Sequence, residues 1–397
     1  MTYVRLFDTV VATYPPTPTR RPATYVGAQA PVETILYGED DPYQWNESRA
    51  RMLQARVFAE SFAFHYANCQ SYQRYCAVDG VSPAALTMPE DIVRIPLIPA
   101  SMFKEQIIQS VGADAIAKVC RSSGTQGSIS RVPRDGTSLE RFVGSIRLSA
   151  EVLLDLRVRA HAFNLGPDTD AAGDIWFPYV MSLVSLLRPA THYVVDGVFD
   201  PRRLVDDLVA LDEAIQPIIV GPPIFVVYLL RFLEDEGVVL DLGARRGLLV
   251  TGGGWKTHTD EVVDSAAFRA WCTRRLGLDA FGVRDAYNLV ELNTVIFECE
   301  AEGKHVPPWL VVEALDAETQ EPVPLGQMGV LAYWDALPTG YPGFILSDDF
   351  GVVDPSRCAC GRAGPTMRFL RRVTAADDRG CARAMDRDTE HPGEDRP

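Results

Sequence analysis

Apolar positions recur at helical spacing once the chain passes Asn46. Leu53, Val57, Phe58 and Phe62 share one face, while Arg49, Arg51 and Glu60 lie elsewhere on the cylinder. Asn46, with a side-chain oxygen that accepts backbone N–H groups, stands where a helix cap belongs. Further along the period changes. Residues 215–220 read as a strand, Gly221-Pro222-Pro223 as a turn and 224–233 as a helix. Residues 248–251 read as a second, buried strand that stops at Gly252-Gly253-Gly254. A helix over about 260–276 then turns Val263, Phe268, Trp271 and Leu276 inward. Strand, glycine turn and helix in repetition predict an α/β core with its loops gathered at the strand ends. After residue 290 the text is strand-rich, at 294–298, 309–314 and 330–334. Residues 12–45 are rich in Pro, Thr and Tyr, so 1–45 read as irregular wrapping, 46–382 as the core and 383–397 as a disordered tail.

Composition narrows the class. With 47% apolar residues in 397, a sizeable core is available. A net charge of −15 argues against a binder that tracks nucleic-acid phosphates. No apolar run approaches the roughly 20 residues of a membrane span. The N-terminus lacks a signal-peptide pattern, so the expected location is the cytoplasm. Eight cysteines without a secretory signal point to free thiols and a metal site.

Chemistry concentrates first at residues 121–131, Arg-Ser-Ser-Gly-Thr-Gln-Gly-Ser-Ile-Ser-Arg. Glycines let backbone N–H groups curl toward an anion, and Ser122, Ser123, Thr125 and Ser128 add hydroxyl donors around Gly124, Gln126 and Gly127. The loop suits phosphate oxygens, although it is not a Walker loop, since no Lys-Ser or Lys-Thr follows its last glycine. A second constellation is Cys299, His305, Cys358 and Cys360. Three thiolates and one imidazole are the donor set of a closed tetrahedral Zn²⁺ site, which would be structural, although the spacing is not that of a zinc finger. The plainer reading is a buried cysteine, a loop histidine and a fortuitous Cys-x-Cys pair. Cys69, Cys76, Cys120 and Cys272 read as small buried hydrophobes.

Several marks then fall in one order: Ser122-Ser123-Gly124-Thr125-Gln126-Gly127, Gly252-Gly253-Gly254-Trp255-Lys256, Tyr287-Asn288-Leu289-Val290-Glu291, Ser347-Asp348-Asp349 and Arg372. This order resembles the adenylate-forming superfamily. Ile95-Pro96-Leu97-Ile98-Pro99, Phe103-Lys104 and Arg379-Gly380-Cys381 bring it nearest to the acyl-protein synthetases of bacterial bioluminescence, and next to the phenylacetate–CoA ligases.

The resemblance implies the large N-terminal α/β domain of such an enzyme, with sheets flanked by helices and a strand-rich segment after them. It implies that ATP and Mg²⁺ activate a carboxylic acid as an acyl-adenylate. The loop from Ser122 to Ser128 would hold the β- and γ-phosphates, Glu291 would help place Mg²⁺, and Tyr287 would line the nucleotide. Asp349 would accept the ribose hydroxyls, with Asp348 as the alternative one position away, and Arg372 would reach the same sugar. Gly253 and Gly254 would form the wall beside the acyl group and α-phosphate. Lys256 would meet the α-phosphate or the carboxylate, or else stand in solvent. Gln126, Asn288 and Val290 depart from the usual residues.

Cys381 would carry the acyl group as a thioester, Arg379 beside it favouring the thiolate. Fewer than twenty residues follow Cys381, so the usual lid domain is expected to be absent or strongly truncated. The acyl group would then pass to a partner, a reductase or a carrier. A CoA ligase and a non-catalytic nucleotide-binding subunit are the competing readings.

Overall fold

The alternation of strand and helix closes into a central sheet in a computed structural model that describes residues 31–38, 41–124, 129–156, 159–254 and 263–373. In chain order its strands are β1 (Ile98–Pro99), β2 (Ile116–Arg121), β3 (Arg131–Asp135), β4 (Ala160–Asn164), β5 (Ala190–His192), β6 (Val194–Val195), β7 (Val198–Phe199) and β8 (Gln216–Gly221). There follow β9 (Leu248–Gly252), β10 (Val283–Tyr287), β11 (Ile296–Phe297), β12 (Lys304–His305), β13 (Leu310–Leu315), β14 (Gly329–Asp335), β15 (Phe344–Asp354) and β16 (Thr366–Arg372).

Six strands pair in the order β11-β10-β9-β8-β4-β5. All neighbours run parallel except β11, which is antiparallel to β10. A parallel sheet has to be covered on both faces, and the two-residue period of its strands supplies the cover. Ile218, Leu248 and Val250 join the larger core, which includes residues of the helices Gly136–Leu153 and Trp176–Ser182. Phe163, Ile219, Leu249 and Val283 join a second core with the helices Pro201–Ala210, Pro223–Asp235 and Ser265–Leu276. The expected α/β architecture is present.

The strand-rich second half builds another sheet, ordered β12-β16-β15-β14-β13 and antiparallel throughout, with β1 parallel to β15. β2 and β3 form a separate hairpin whose connection is the hydroxyl-rich loop. Arg121 and Arg131, the two basic residues that close the loop, pair directly across it.

The helix expected after Asn46 is Glu47–Asn68, and the Asn46 side chain accepts the Arg49 backbone N–H at 2.9 Å. The wrapping expected over 1–45 needs correction in its described part. Pro31–Leu36 is a helix that buries Val32, Ile35 and Leu36, so the packed body begins before Asn46. The helix expected over 260–276 is Ser265–Leu276, capped by the Asp264 side chain, with Val263 and Trp271 packed at the margin of the core. Residues 1–30 and the expected tail lie outside the described residues. Among those described, no helix is long and apolar enough to cross a membrane.

Gly277 ends that last helix at φ +60° in the left-handed region, and a Cβ there would meet Leu240 O at 2.1 Å and Asp241 Cα at 2.7 Å. Gly237 has a similar φ of +64° but open space around it. Gly237→Ala is expected to cost about 1 kcal/mol from backbone conformation alone. Gly277→Ala is expected to cost at least about 3 kcal/mol, because rigid backbone has to move as well. Equal losses in urea unfolding would contradict the close packing of the helix end.

Candidate active site

The parallel strands β8, β9 and β10 end at Gly221, Gly252 and Tyr287, and a crevice opens beyond them, where an open α/β sheet holds its ligands. Tyr287 stacks on Tyr333 of β14, with ring centroids 6.0 Å apart. The Tyr333 hydroxyl donates to the Tyr287 hydroxyl at 2.8 Å, and Tyr287 donates to Asp349 Oδ2 at 2.7 Å. Asp349 sits on β15 directly across from Arg372 on β16, whose Nε lies 3.5 Å from Oδ1. Burial pushes the Asp349 carboxyl up from its ordinary range, and Arg372 and Tyr287 oppose the shift. Asp348 alternates to the other side of the strand, is exposed, and pairs with Lys104 Nζ at 3.2 Å. Both aspartates line the crevice.

Ser122, Ser123 and Ser130, at the two described ends of the hydroxyl-rich loop, line the same crevice. Ser122 Oγ accepts the Ser130 N–H at 3.0 Å, which pins the loop at its base. Gly124 has φ +67°, a conformation that favours glycine, and a Cβ there would press on the exposed Ile129 side chain at 2.9 Å. Glu291 is buried, which raises its pKa, while the Ser130 hydroxyl bonds to its carboxylate and lowers it.

The turn that carries Glu291 is held by Arg134. One guanidinium nitrogen of Arg134 donates to Val290 O at 2.6 Å and Leu292 O at 3.0 Å, and Nε donates to Asn293 Oδ1 at 3.1 Å. The guanidinium also lies 3.7 Å from the centroid of a Trp176 ring. Tyr341 adds a hydrogen bond to Glu291 O at 3.0 Å. Asn288, one of the departures noted in the sequence, accepts the Trp176 indole N–H and donates to Thr294 O.

The same crevice continues inward as an apolar tunnel. One wall is Ile146, Ala150 and Leu154 along the Gly136–Leu153 helix and just past it; the opposite wall is Ile218, Val220 and Val250 of the sheet. Gly253 at the mouth has φ +75°, and any Cβ would collide with the Phe177 ring at 2.5 Å.

A second cluster lies apart from the crevice. The donor atoms of Cys299, His305, Cys358 and Cys360 all fall within 4.8 Å of one another. Cys299 Sγ and Cys358 Sγ are 3.7 Å apart, close to the edge of roughly 3.8 Å for a tetrahedron with zinc–sulfur bonds of about 2.3 Å. His305 Nε2 faces Cys360 Sγ at 3.2 Å. The Ala301 and Arg362 backbone N–H groups point at Cys299 and Cys360 sulfur, at 3.4 and 3.5 Å. The set therefore fits a four-coordinate soft cation.

A single cavity that joins hydroxyl donors, buried carboxylates and an apolar tunnel suits a reaction between a nucleotide and a lipid-like acid. The family model described as acyl-protein synthetase, LuxE, matches residues 26–389. The chain belongs to the LuxE acyl-protein synthetase family. A long-chain-fatty-acid–luciferin-component ligase of Aliivibrio fischeri is 36% identical over 347 residues, 87% of this chain and 90% of the relative. A Vibrio harveyi ligase of the same name is 33% identical over 363 residues, 91% and 94% of the two chains. Among solved structures, a 2-hydroxyisobutyryl-CoA ligase in complex with 2-HIB-AMP and CoA superposes with a TM-score of 0.66. It covers 90% of this chain and 75% of its own at 16% identity, a likeness of fold. The chain is an adenylate-forming ligase.

In this acyl-protein synthetase, Ser122, Ser123, Gly253, Tyr287, Glu291, Asp349 and Arg372 line one cavity. Gly124 and Gly254 stand beside it rather than in its lining. Thr125, Gln126, Gly127, Ser128, Lys256 and Cys381 lie outside the described residues. Ser130, Lys104 and Arg134 were not selected from the sequence as site residues. The available signal for Arg134 was a charge at an inward position of β3, two residues from the fully buried Val132.

Proposed function

We propose that this synthetase activates a long-chain fatty acid with ATP, carries it on Cys381 and delivers it to a partner reductase. The observation that supports the reading is the continuity of the cavity, polar at Glu291 and Asp349 and apolar from Gly253 inward. The names of the curated relatives, long-chain-fatty-acid–luciferin-component ligases, support a long acyl chain and a protein acceptor.

The carboxylate oxygen attacks the α-phosphorus of ATP and pyrophosphate leaves. The obstacle is an anion attacking an anion, so the site has to neutralise charge and align the partners. Glu291 would hold Mg²⁺, which when bound would neutralise charge on the phosphates. The loop from Ser122 to Ser128 donates hydrogen bonds to the β- and γ-phosphates. Asp349, fixed by Tyr287 and facing Arg372, accepts the ribose hydroxyls, as an acceptor-only group can. Gly253 and Gly254 admit the acyl-phosphate close to the backbone, and Lys256 meets its oxygens. The Cys381 thiolate then attacks the acyl carbon and AMP leaves, giving a thioester. The reductase takes the acyl group from that thioester, and the whole sequence runs in the cytoplasm.

Cys299, His305, Cys358 and Cys360 would hold zinc in a structural role, since four protein donors leave no position for water. Arg362, next but one to Cys360, donates to Val152 O at 3.1 Å and pairs with Glu300, tying the cluster to the helix that walls the tunnel.

Intact mass after incubation with Mg-ATP and fatty acids tests the main reading. Wild type is expected to gain a hydroxylamine-labile acyl adduct, and Cys381→Ala to gain none while still exchanging pyrophosphate into ATP. AMP release that depends on CoA and ignores Cys381→Ala would make the enzyme a CoA ligase instead. Elemental analysis tests the metal: about one zinc per chain is expected, lost in Cys360→Ser together with a lowered melting temperature. A zinc-free wild type indifferent to chelator would leave the cluster as four ordinary side chains.

A further inference from the structure

The tunnel is not lined by apolar side chains alone: beside Leu156 and Leu187 its lining includes the charged Arg188. The direction follows from topology. Gly221 and Gly252 close the C-terminal ends of parallel strands, at the mouth. Leu156 precedes β4, and Leu187 and Arg188 precede β5, so they stand at the N-terminal ends of the same sheet.

Arg188 donates through one nitrogen to Leu187 O at 2.7 Å and through another to Glu151 Oε1 at 3.2 Å. The other oxygen of Glu151 accepts from Arg147 at 3.0 Å. Arg188 and Arg147 are only 13% and 8% exposed and Glu151 between them 23%, so water reaches the group mainly at the carboxylate. Two guanidinium groups on one carboxylate, braced by a main-chain carbonyl, form a stiff wall. A leucine or methionine in that place would repack around an intruding methyl group. Breaking a buried, hydrogen-bonded ion pair leaves an uncompensated charge and is far less favourable.

We propose that the Arg188–Glu151 pair is the end stop of the acyl tunnel and sets the maximum chain length of the acid. The proposal rests on the fatty-acid reading above. About five strand residues at roughly 3.3 Å each separate mouth from floor, a span of roughly 16 Å. Acids whose extended chain outgrows that span have to displace Arg188.

The test is ATP–pyrophosphate exchange by the full chain with even-numbered saturated acids from about eight to about eighteen carbons. Wild-type kcat/KM is expected to fall by roughly tenfold or more once the chain outgrows the tunnel. Arg188→Met is expected to move that fall outward by roughly two to four carbons, and Glu151→Gln, which weakens the same pair from its other side, to move it the same way. Ala150→Leu, which narrows the tunnel midway, is expected to move it inward. If both pair-breaking variants keep the wild-type profile, at full or reduced rate, the end stop is overturned. The fatty-acid reading survives that result provided Ala150→Leu still shortens the profile. No exchange by wild type with any acid, or a profile unmoved by all three variants, overturns both. A marked preference for a long acid bearing a second, terminal carboxylate also overturns the stop, because Arg188 would then be recognising an anion.

Discussion

One buried cation holds the parts of this site in register. Arg134 leaves β3 at the base of the phosphate loop, lies across Trp176 and binds the carbonyls on either side of Glu291. Burying a guanidinium is unfavourable by several kcal/mol unless its donors and charge are satisfied. Here two of its three nitrogens are bonded by the 290–293 turn and Tyr341, and its face lies on Trp176, so the ion depends on hairpin, tunnel wall and carboxylate turn being in place together. That requirement links catalytic geometry to folding. It also fixes where the polar mouth of the cavity meets its apolar interior, since Trp176 belongs to the tunnel lining.

A second contact, between the two sheets, completes the mouth. The Tyr333–Tyr287–Asp349 relay bridges the strand end of the parallel sheet and the middle of the antiparallel one. Burial alone would favour a protonated Asp349, and the tyrosine hydroxyl with Arg372 counters it. The aspartate is thus oriented before any ligand arrives, which reduces the ordering cost of binding. The cysteine–histidine cluster works from the opposite side. Through Arg362 it braces the end of the helix whose Ala150 and Leu154 line the tunnel.

Much of this was legible in the sequence, and the reason is local. The strands before Gly221 and Gly252, the Asn46 cap and the buried cysteines all write their roles into adjacent residues. The ordered motifs named Ser122, Ser123, Gly253, Tyr287, Glu291, Asp349 and Arg372, and the fold gathers them around one cavity. What escaped depends on contacts across the chain. Arg134 meets Val290 from 156 positions away, and only its place two residues after Val132 hints at a buried cation. The tunnel is a void between elements whose apolar faces look like any packed core. The Pro31–Leu36 helix was hidden because six residues after a proline-rich stretch give too little periodicity to register.

The central claim is that nucleotide and acyl chain share one continuous cavity on either side of Glu291. The most direct test is a crystal structure with a non-hydrolysable acyl-adenylate analogue carrying a long saturated chain. The account expects adenosine against Tyr287 and Asp349, with the acyl carbons running between Ala150 and Val250. An adenosine in that position with the acyl chain outside the tunnel would contradict it.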